Sequence, residues 1–507
     1  MANLTPELEA ERKKINKVAK DFGLDCFETI FELITYDQIN QFAAFGGFPV
    51  RYPHWKFGME YEHLSKSYEY GLSKIYEMVI NTDPCYAYLM EGNMMMDQKL
   101  VMAHVYGHCD FFKNNVWFSK TNRKMMDQMA NHATRIRRYI DRYGYDTVED
   151  FLDVCLSLEN LIDRYSPYIE TSTKPPQEPI SAEAQSEIGL LKVNRPYMRD
   201  YINPPDFVRE QRQKMAEKQA ERNRRFPSEP QRDVLKFLLH YAPLEDWQQD
   251  VLSIIRDEAY YFAPQGMTKT MNEGWASYWH SKIMTQKILT DSEIIDFADH
   301  HSGTMAMAPN GYNPYKVGIE LLRDIEERWD KGRFGREWEE CDDVNERKHW
   351  DRKTGLGRDK IFEVRRIYND VTFIDEFLTE DFCVRNKLFV YKFNKRTNRF
   401  EIDTKDFKAI KAQLLFHMTN FGQPIIRIED ANFENRGELL LNHLHEGIDM
   451  QPDFMQATLK NVFKIWRRPV NLVTVMDNEP HLYRFDGQEY TQHKAGEGSA
   501  TEGPKTE

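Results

Sequence analysis

The stretch MDQKLVMAHVYGHCDFFKNN, Met96–Asn115, is the one around which the rest of the chain is read. It has no Pro, its only Gly is Gly107, and Leu100, Val101, Ala103, Phe111 and Phe112 recur at helical spacing, which predicts a helix. His104 and His108 stand four apart, so they share one face about one turn from each other. Their ring nitrogens can converge on one point, as the two His of H-E-x-x-H do on zinc. Asp97 lies on nearly the same face, but seven residues rise about 10.5 Å. Asp97 is therefore placed to support such a site rather than to bind the same ion as both His. The competing reading is a pair of core or capping histidines. The residue after the first His is Val105, not Glu, so a zincin-like helix here lacks the usual general base at its usual place.

Composition narrows the classes. The chain of 507 residues has no run of the ~20 apolar residues that a membrane helix needs. Its first residues, MANLTPELEAERKKINK, contain no apolar core of a secretory signal. Six scattered cysteines form no C-x-x-C pair, which fits a reduced cytoplasmic protein with free thiols. A net charge of −13 disfavours nucleic acid and anionic membrane as general partners. The basic patch Arg135–Arg142 reads as a solvated helix face. Oligomeric state is not legible.

Along the chain, residues 1–43 read as two helices, the second carrying Phe27, Ile30, Phe31, Leu33 and Ile34. FGGFPVRYPHW (Phe45–Trp55) is an aromatic Gly/Pro loop, and Glu60–Val79 returns to a helical pattern. Cys85–Asn93 is a strand or a short helix. Helices fill 121–164 with a break at Tyr143-Gly144-Tyr145. A Pro-rich and charged excursion, 165–230, reads as a surface insertion. Helices resume over 231–262, followed by a polar loop APQGMTKT. A short helix spans 291–300, a Gly/Pro loop begins at His300-His301, and another helix covers YKVGIELLRDIEERWD. From 371 to 490 the pattern becomes hairpin, helix, strands, helix and strands, which predicts a smaller α+β domain. The fold expected is thus a mainly α region, 1–370, holding a zincin (gluzincin)-like helical metal site, then the α+β domain at 371–490 and a disordered tail at 491–507.

MNEGWASYWH, Met271–His280, supplies the second half of a constellation. A site with two His on one helix commonly takes a carboxylate from a neighbouring helix. Asn272-Glu273-Gly274-Trp275-Ala276 resembles the N-E-G-x-A motif in which gluzincins carry their third ligand. The expected ligands are His104, His108 and Glu273, holding a divalent metal, zinc first, with iron or manganese as alternatives. The other reading of Glu273 is a carboxylate favoured by a helix start. Glu91, Asp97, His280 and His301 are candidate supporting or alternative ligands. Tyr312 and Tyr315 could donate to an oxyanion. Glu258 or Glu91 could replace the missing base. The set Glu91, His104, His108, Glu258 and Glu273 would also suit two metals between helices, although the E-x-x-H spacing of di-iron proteins is absent.

The segments YPHWKFGMEYE, AHVYGHCDFFKNN, MNEGWASYWH, HHSG followed by NPYKVG, and RGELLLNHLHEGIDMQPDFMQATLKNVFKIWRRPVNLVTV resemble the SpoVR family. These are the stage V sporulation protein R-like proteins of bacteria, and the resemblance covers residues 8–490. It implies a bacterial cytoplasmic protein linked to sporulation (spore cortex formation), stress or cell-envelope processes, with a serine protein kinase pathway as partner. It implies no reaction. The residues themselves point to a metal-dependent hydrolase, with a di-metal oxidative enzyme or a non-catalytic scaffold as alternatives.

Overall fold

A computed structural model describes residues 3–69, 77–169, 201, 203–308 and 311–494. The chain divides into two compact units, one formed by residues 1–149 and 260–423, the other by 150–259 and 424–507. This interleaved course differs from the linear division at residue 370 expected from the sequence. The protein is mostly helical, and its C-terminal part contains the larger sheet.

At the centre of the first unit is the helix Met95–Asn114, here the histidine helix. Every residue from Gln98 to Phe112 is buried. A helix buried on all sides is an interior element rather than an amphipathic surface one. Against it runs the helix Lys269–Ile283, the glutamate helix, also buried along nearly its whole length. Small residues set how closely the two meet. A Cβ built on Gly107 would lie 2.6 Å from the Ala276 Cα. The glutamate helix meets the helix Pro314–Asp330 in the same way, because a Cβ on Gly274 would lie 2.5 Å from the Gly318 backbone. Gly274 and Ala276 of the N-E-G-x-A segment are thus two points of close backbone approach between its helix and its neighbours.

A three-stranded sheet, in the order β1-β3-β2, flanks these helices. β1 (Thr29–Ile34) runs parallel to β3 (Cys85–Met90), with Thr29 opposite Cys85 and Ile34 opposite Met90. β2 (Glu77–Ile80) pairs antiparallel with β3. Phe31, Leu33, Ala87 and Leu89 join the core around the histidine helix, whereas Ile34, Ile80, Tyr88 and Met90 pack with Phe42 and Phe48. The segment around Phe31 reads as a helix because Phe27, Ile30, Phe31 and Ile34 recur at three- and four-residue spacing, yet it is the edge strand β1, with Phe31 and Leu33 buried and Ile30 exposed. Val79, expected at the end of a helical pattern, lies in the strand β2, and residues 70–76 before it lie outside the described ones.

Three further expectations change. The polar loop expected at APQGMTKT is largely helical, since the helix Asp246–Met267 continues through Pro264. The Thr268 hydroxyl then donates to the Pro264 carbonyl at 2.8 Å. His300 and His301 lie within the helix Ile294–Thr304, not in the loop after it. The strand hairpin β4 (Val390–Asn394) and β5 (Arg399–Thr404) and the helix Phe407–Met418 belong to the first unit. The break at Gly144 stands where the sequence places it, between the helices Met125–Tyr143 and Tyr145–Ser157.

The second unit holds a five-stranded sheet, β10-β9-β8-β7-β6. β6 (Ile425–Phe433) pairs antiparallel with β7 (Glu438–Leu444), and β7 runs parallel to β8 (Val470–Met476). The helix Pro452–Trp466 makes the crossover between them that parallel strands require. β9 (Glu479–Phe485) and β10 (Tyr490–Lys494) close the sheet as a hairpin. The expected tail therefore begins no earlier than 495, and residues from there on lie outside the described ones. Of the Pro-rich excursion, residues 170–200 and 202 also lie outside them, and its charged run forms the helix Pro205–Arg224.

Two predictions follow from this packing. Gly107→Ala forces backbone apart at the helix crossing and should cost about 1–3 kcal/mol, the usual penalty of overpacking. Gly58→Ala, in the helix Trp55–Glu69 with nothing within 4 Å, should instead stabilise by about 0.5–1 kcal/mol. Thermal unfolding of both variants checks the pair, and equal effects would refute the close approach. In the second unit, burial and then the neighbouring His445 push His443 down to about 4, while its Nδ1 lies 2.8 Å from the Thr474 hydroxyl. The folded state thus favours the neutral ring. The stability it contributes is full above the ordinary histidine value of about 6.5 and is lost as pH falls towards 4. Urea unfolding at pH 7 and pH 4.5 should show a larger acid loss in the wild type than in His443→Gln.

Candidate metal centre

The crossing of the two helices brings three side chains together. His104, His108 and Glu273 each offer a ligand atom, and these atoms all lie within 4.8 Å of one another. The Nε2 atoms of His104 and His108 are each 3.4 Å from Glu273 Oε2. That is long for an N–H···O hydrogen bond. It matches the edge of a metal tetrahedron, because bonds of ~2.0–2.1 Å separate neighbouring ligand atoms by about 3.3–3.4 Å. Both His are buried, and Glu273 is only partly exposed. Two imidazoles and one carboxylate form a donor set suited to zinc, with iron or manganese as alternatives. The residues present fit a divalent ion.

The remaining ring nitrogens are held. His108 Nδ1 lies 2.9 Å from Asn272 Oδ1, an atom that can only accept, so His108 carries its proton on Nδ1 and turns a lone pair on Nε2 towards Glu273. His104 Nδ1 lies 2.7 Å from His280 Nδ1. With the His104 proton on Nδ1, His280 accepts there and carries its own on Nε2, which lies 3.5 Å from His301 Nδ1. Burial, then the neighbouring His104 and His301, hold His280 well below the usual histidine range, so it is a neutral acceptor. With no ion between them, the alternative is imidazoles protonated on Nε2; burial opposes ionisation of Glu273, but such protonated His108 and His104 outweigh it and hold the carboxyl below its usual range.

The other sequence candidates are distributed as follows. The Tyr315 ring stands 6.1 Å from that of His104, centroid to centroid. Tyr312 turns its hydroxyl to Thr270 Oγ1 at 2.9 Å. Asp97 Oδ1 lies 3.7 Å from His300 Nδ1, at the start of the histidine helix and outside the three-ligand group. Glu91 is exposed in the turn after β3 and is likewise outside that group. Glu258 is buried and belongs to the second unit. Val105 is fully buried in the apolar core, so the usual base position is occupied by packing.

Several supporting residues escape a reading from sequence alone. Asn272 reads in the sequence only as part of the N-E-G-x-A motif, and its place next to Glu273 is the signal for its contact with His108. Asp370 accepts from the backbone N–H groups of Thr270 and Met271 at 2.8 and 2.9 Å, capping the glutamate helix from 100 residues away. Asp110, two residues after His108, accepts from Trp275 Nε1 and Arg365 Nη1, both at 2.8 Å. It ties the two ligand helices together. Burial raises its carboxyl to about 6 despite Arg365.

A family model described as SpoVR like protein matches residues 3–423. The chain belongs to that family. It is 31% identical over 488 residues to the uncharacterized protein YcgB of Escherichia coli (strain K12), covering 90% of each chain. No solved structure matches. No described helix is long and apolar enough to cross a membrane.

Because Asp110 is fully buried, removing it leaves the Arg365 guanidinium without its carboxylate. Asp110→Ala should cost about 3–5 kcal/mol, the range for breaking a buried ion pair. Denaturant unfolding measures it; a loss under 1 kcal/mol would show that the two helices are joined by apolar packing alone.

Proposed function

We propose that this SpoVR-family protein is a metal-dependent hydrolase with a mononuclear, zincin-like centre. The observation that supports it is the convergence of His104, His108 and Glu273 from two packed helices at the spacing of metal ligands. When bound there, a divalent ion would act as a Lewis acid and lower the pKa of a water in the open position. Asn272 and His280 hold the two imidazoles in the ligating tautomer, a role on which metal affinity commonly depends 10–100-fold. Tyr315, beside His104, is the candidate donor to a developing oxyanion. A general base in place of Val105 would have to come from another element of the first unit. An amide of a peptide or of a cell-wall precursor is the proposed substrate class.

The gathered donor set is enough for one ion, which favours this reading over the di-metal alternative. Family membership supports a bacterial setting in sporulation, stress or cell-envelope processes, with cytoplasmic location and a link to a serine protein kinase pathway as parts of the proposal.

Elemental analysis tests it. Wild-type protein should hold about one zinc per chain, His108→Ala should hold none, and Asn272→Ala should bind about 10–100-fold more weakly. Two irons with an oxo absorption band would establish the di-metal reading. A metal-free wild type that takes up no added zinc, iron or manganese would leave the scaffold reading.

A further inference from the structure

A second feature of the first unit lies at the start of the glutamate helix. It is a cavity of about 550 Å³, bordered by Lys269, Thr270, Tyr312 and Asp370 on one side. Its opposite wall is one face of the helix Phe407–Met418, with Ile410, Leu414 and Met418 at helical spacing, and Leu388 and Phe389 beside it. The volume suits a small organic molecule, and an apolar wall with a few convergent polar groups is the usual build of such a site.

The charge balance of the cavity specifies a sign. Asp370 is its only carboxylate among the described lining residues, and both its oxygens are engaged by the Thr270 and Met271 N–H groups. Lys269 and Lys387 both line the cavity and are exposed. Neither is in an ion pair among the described residues. Beside the His417 imidazole, the two ammonium groups are the full charges left to a ligand among the described lining residues, and they call for an anion.

The rim is also strained. Lys387, Asn420 and Phe421 all have left-handed backbone, with φ of 55°, 49° and 57°. A bulky aromatic in that region is an outlier, and such strain gathers at ligand clamps. Here it lays the Phe421 ring against Gly266, where no Cβ would fit, and so makes that ring part of the cavity lining.

We propose that this cavity binds an organic anion with an apolar body, its charged head at Lys269 and Lys387 and its body along Leu414 and Phe421. Binding does not require the metal, although Thr270 precedes Glu273 by only three residues on the same helix.

Isothermal titration of the full chain, dialysed against chelator, with decanoate and with decanol tests this. Decanoate should bind one per chain, at least tenfold more tightly than decanol. In Lys269→Gln/Lys387→Gln the decanoate affinity should fall at least tenfold while that for decanol is unchanged. Leu414→Trp, which fills the cavity, should abolish both, with unfolding midpoints near wild type confirming that the variants fold. His104→Ala should bind decanoate as the wild type does, which separates this site from the metal centre. Equal affinity for decanoate and decanol, or decanoate binding unchanged in Leu414→Trp, would overturn the proposal.

Discussion

The close approach of two buried helices is the constraint on which the first unit rests. Gly107 admits the backbone of Ala276, and Gly274 admits that of Gly318. Nothing larger fits at either point without moving backbone. At that separation His104 and His108, on one helix, come within ligand spacing of Glu273 on the other. A wider crossing would draw the three donors apart and leave a carboxylate and two imidazoles as ordinary buried polar groups.

Burial this deep requires a partner for each polar atom, since an unsatisfied one costs ~1–3 kcal/mol. Around the candidate centre, side chains supply many of these partners. Asp110 serves Trp275, Arg365 and the backbone of Asp25. Asp370 serves the first N–H groups of the glutamate helix. Asn272 and His280 serve the ligand imidazoles. The same contacts that make the helix pair stable therefore fix ring orientation, so stability and site geometry are not separable at these positions.

The parts of this arrangement that the sequence made legible are the local ones. Two His four apart on a helix share a face whatever the fold, and Glu273 stood in a recognisable N-E-G-x-A setting. The strand at Phe31 reads as a helix because Phe27, Ile30, Phe31 and Ile34 also fall at helical spacing, and its partner β3 lies more than fifty residues on. His301 was placed in a loop because Gly303 and the Gly/Pro run after it obscured the helix end. Asp370 could not have been found at all: it caps a helix 100 residues earlier, and only folding brings the two together.

Val105 carries the sharpest consequence for chemistry. In the motif H-E-x-x-H the glutamate beside the first ligand reaches the metal-bound water. Here that position is fully buried among apolar side chains. A carboxylate placed there would be desolvated and driven towards its neutral form, a poor base. Its absence is thus a property of how this helix is packed, covered on every side, rather than of one lost residue. Substituting Glu alone would not restore the usual arrangement. Any proton transfer at such a centre must come from a different element, and the three candidate ligands, with their histidine and asparagine supports, stand largely buried between the two helices.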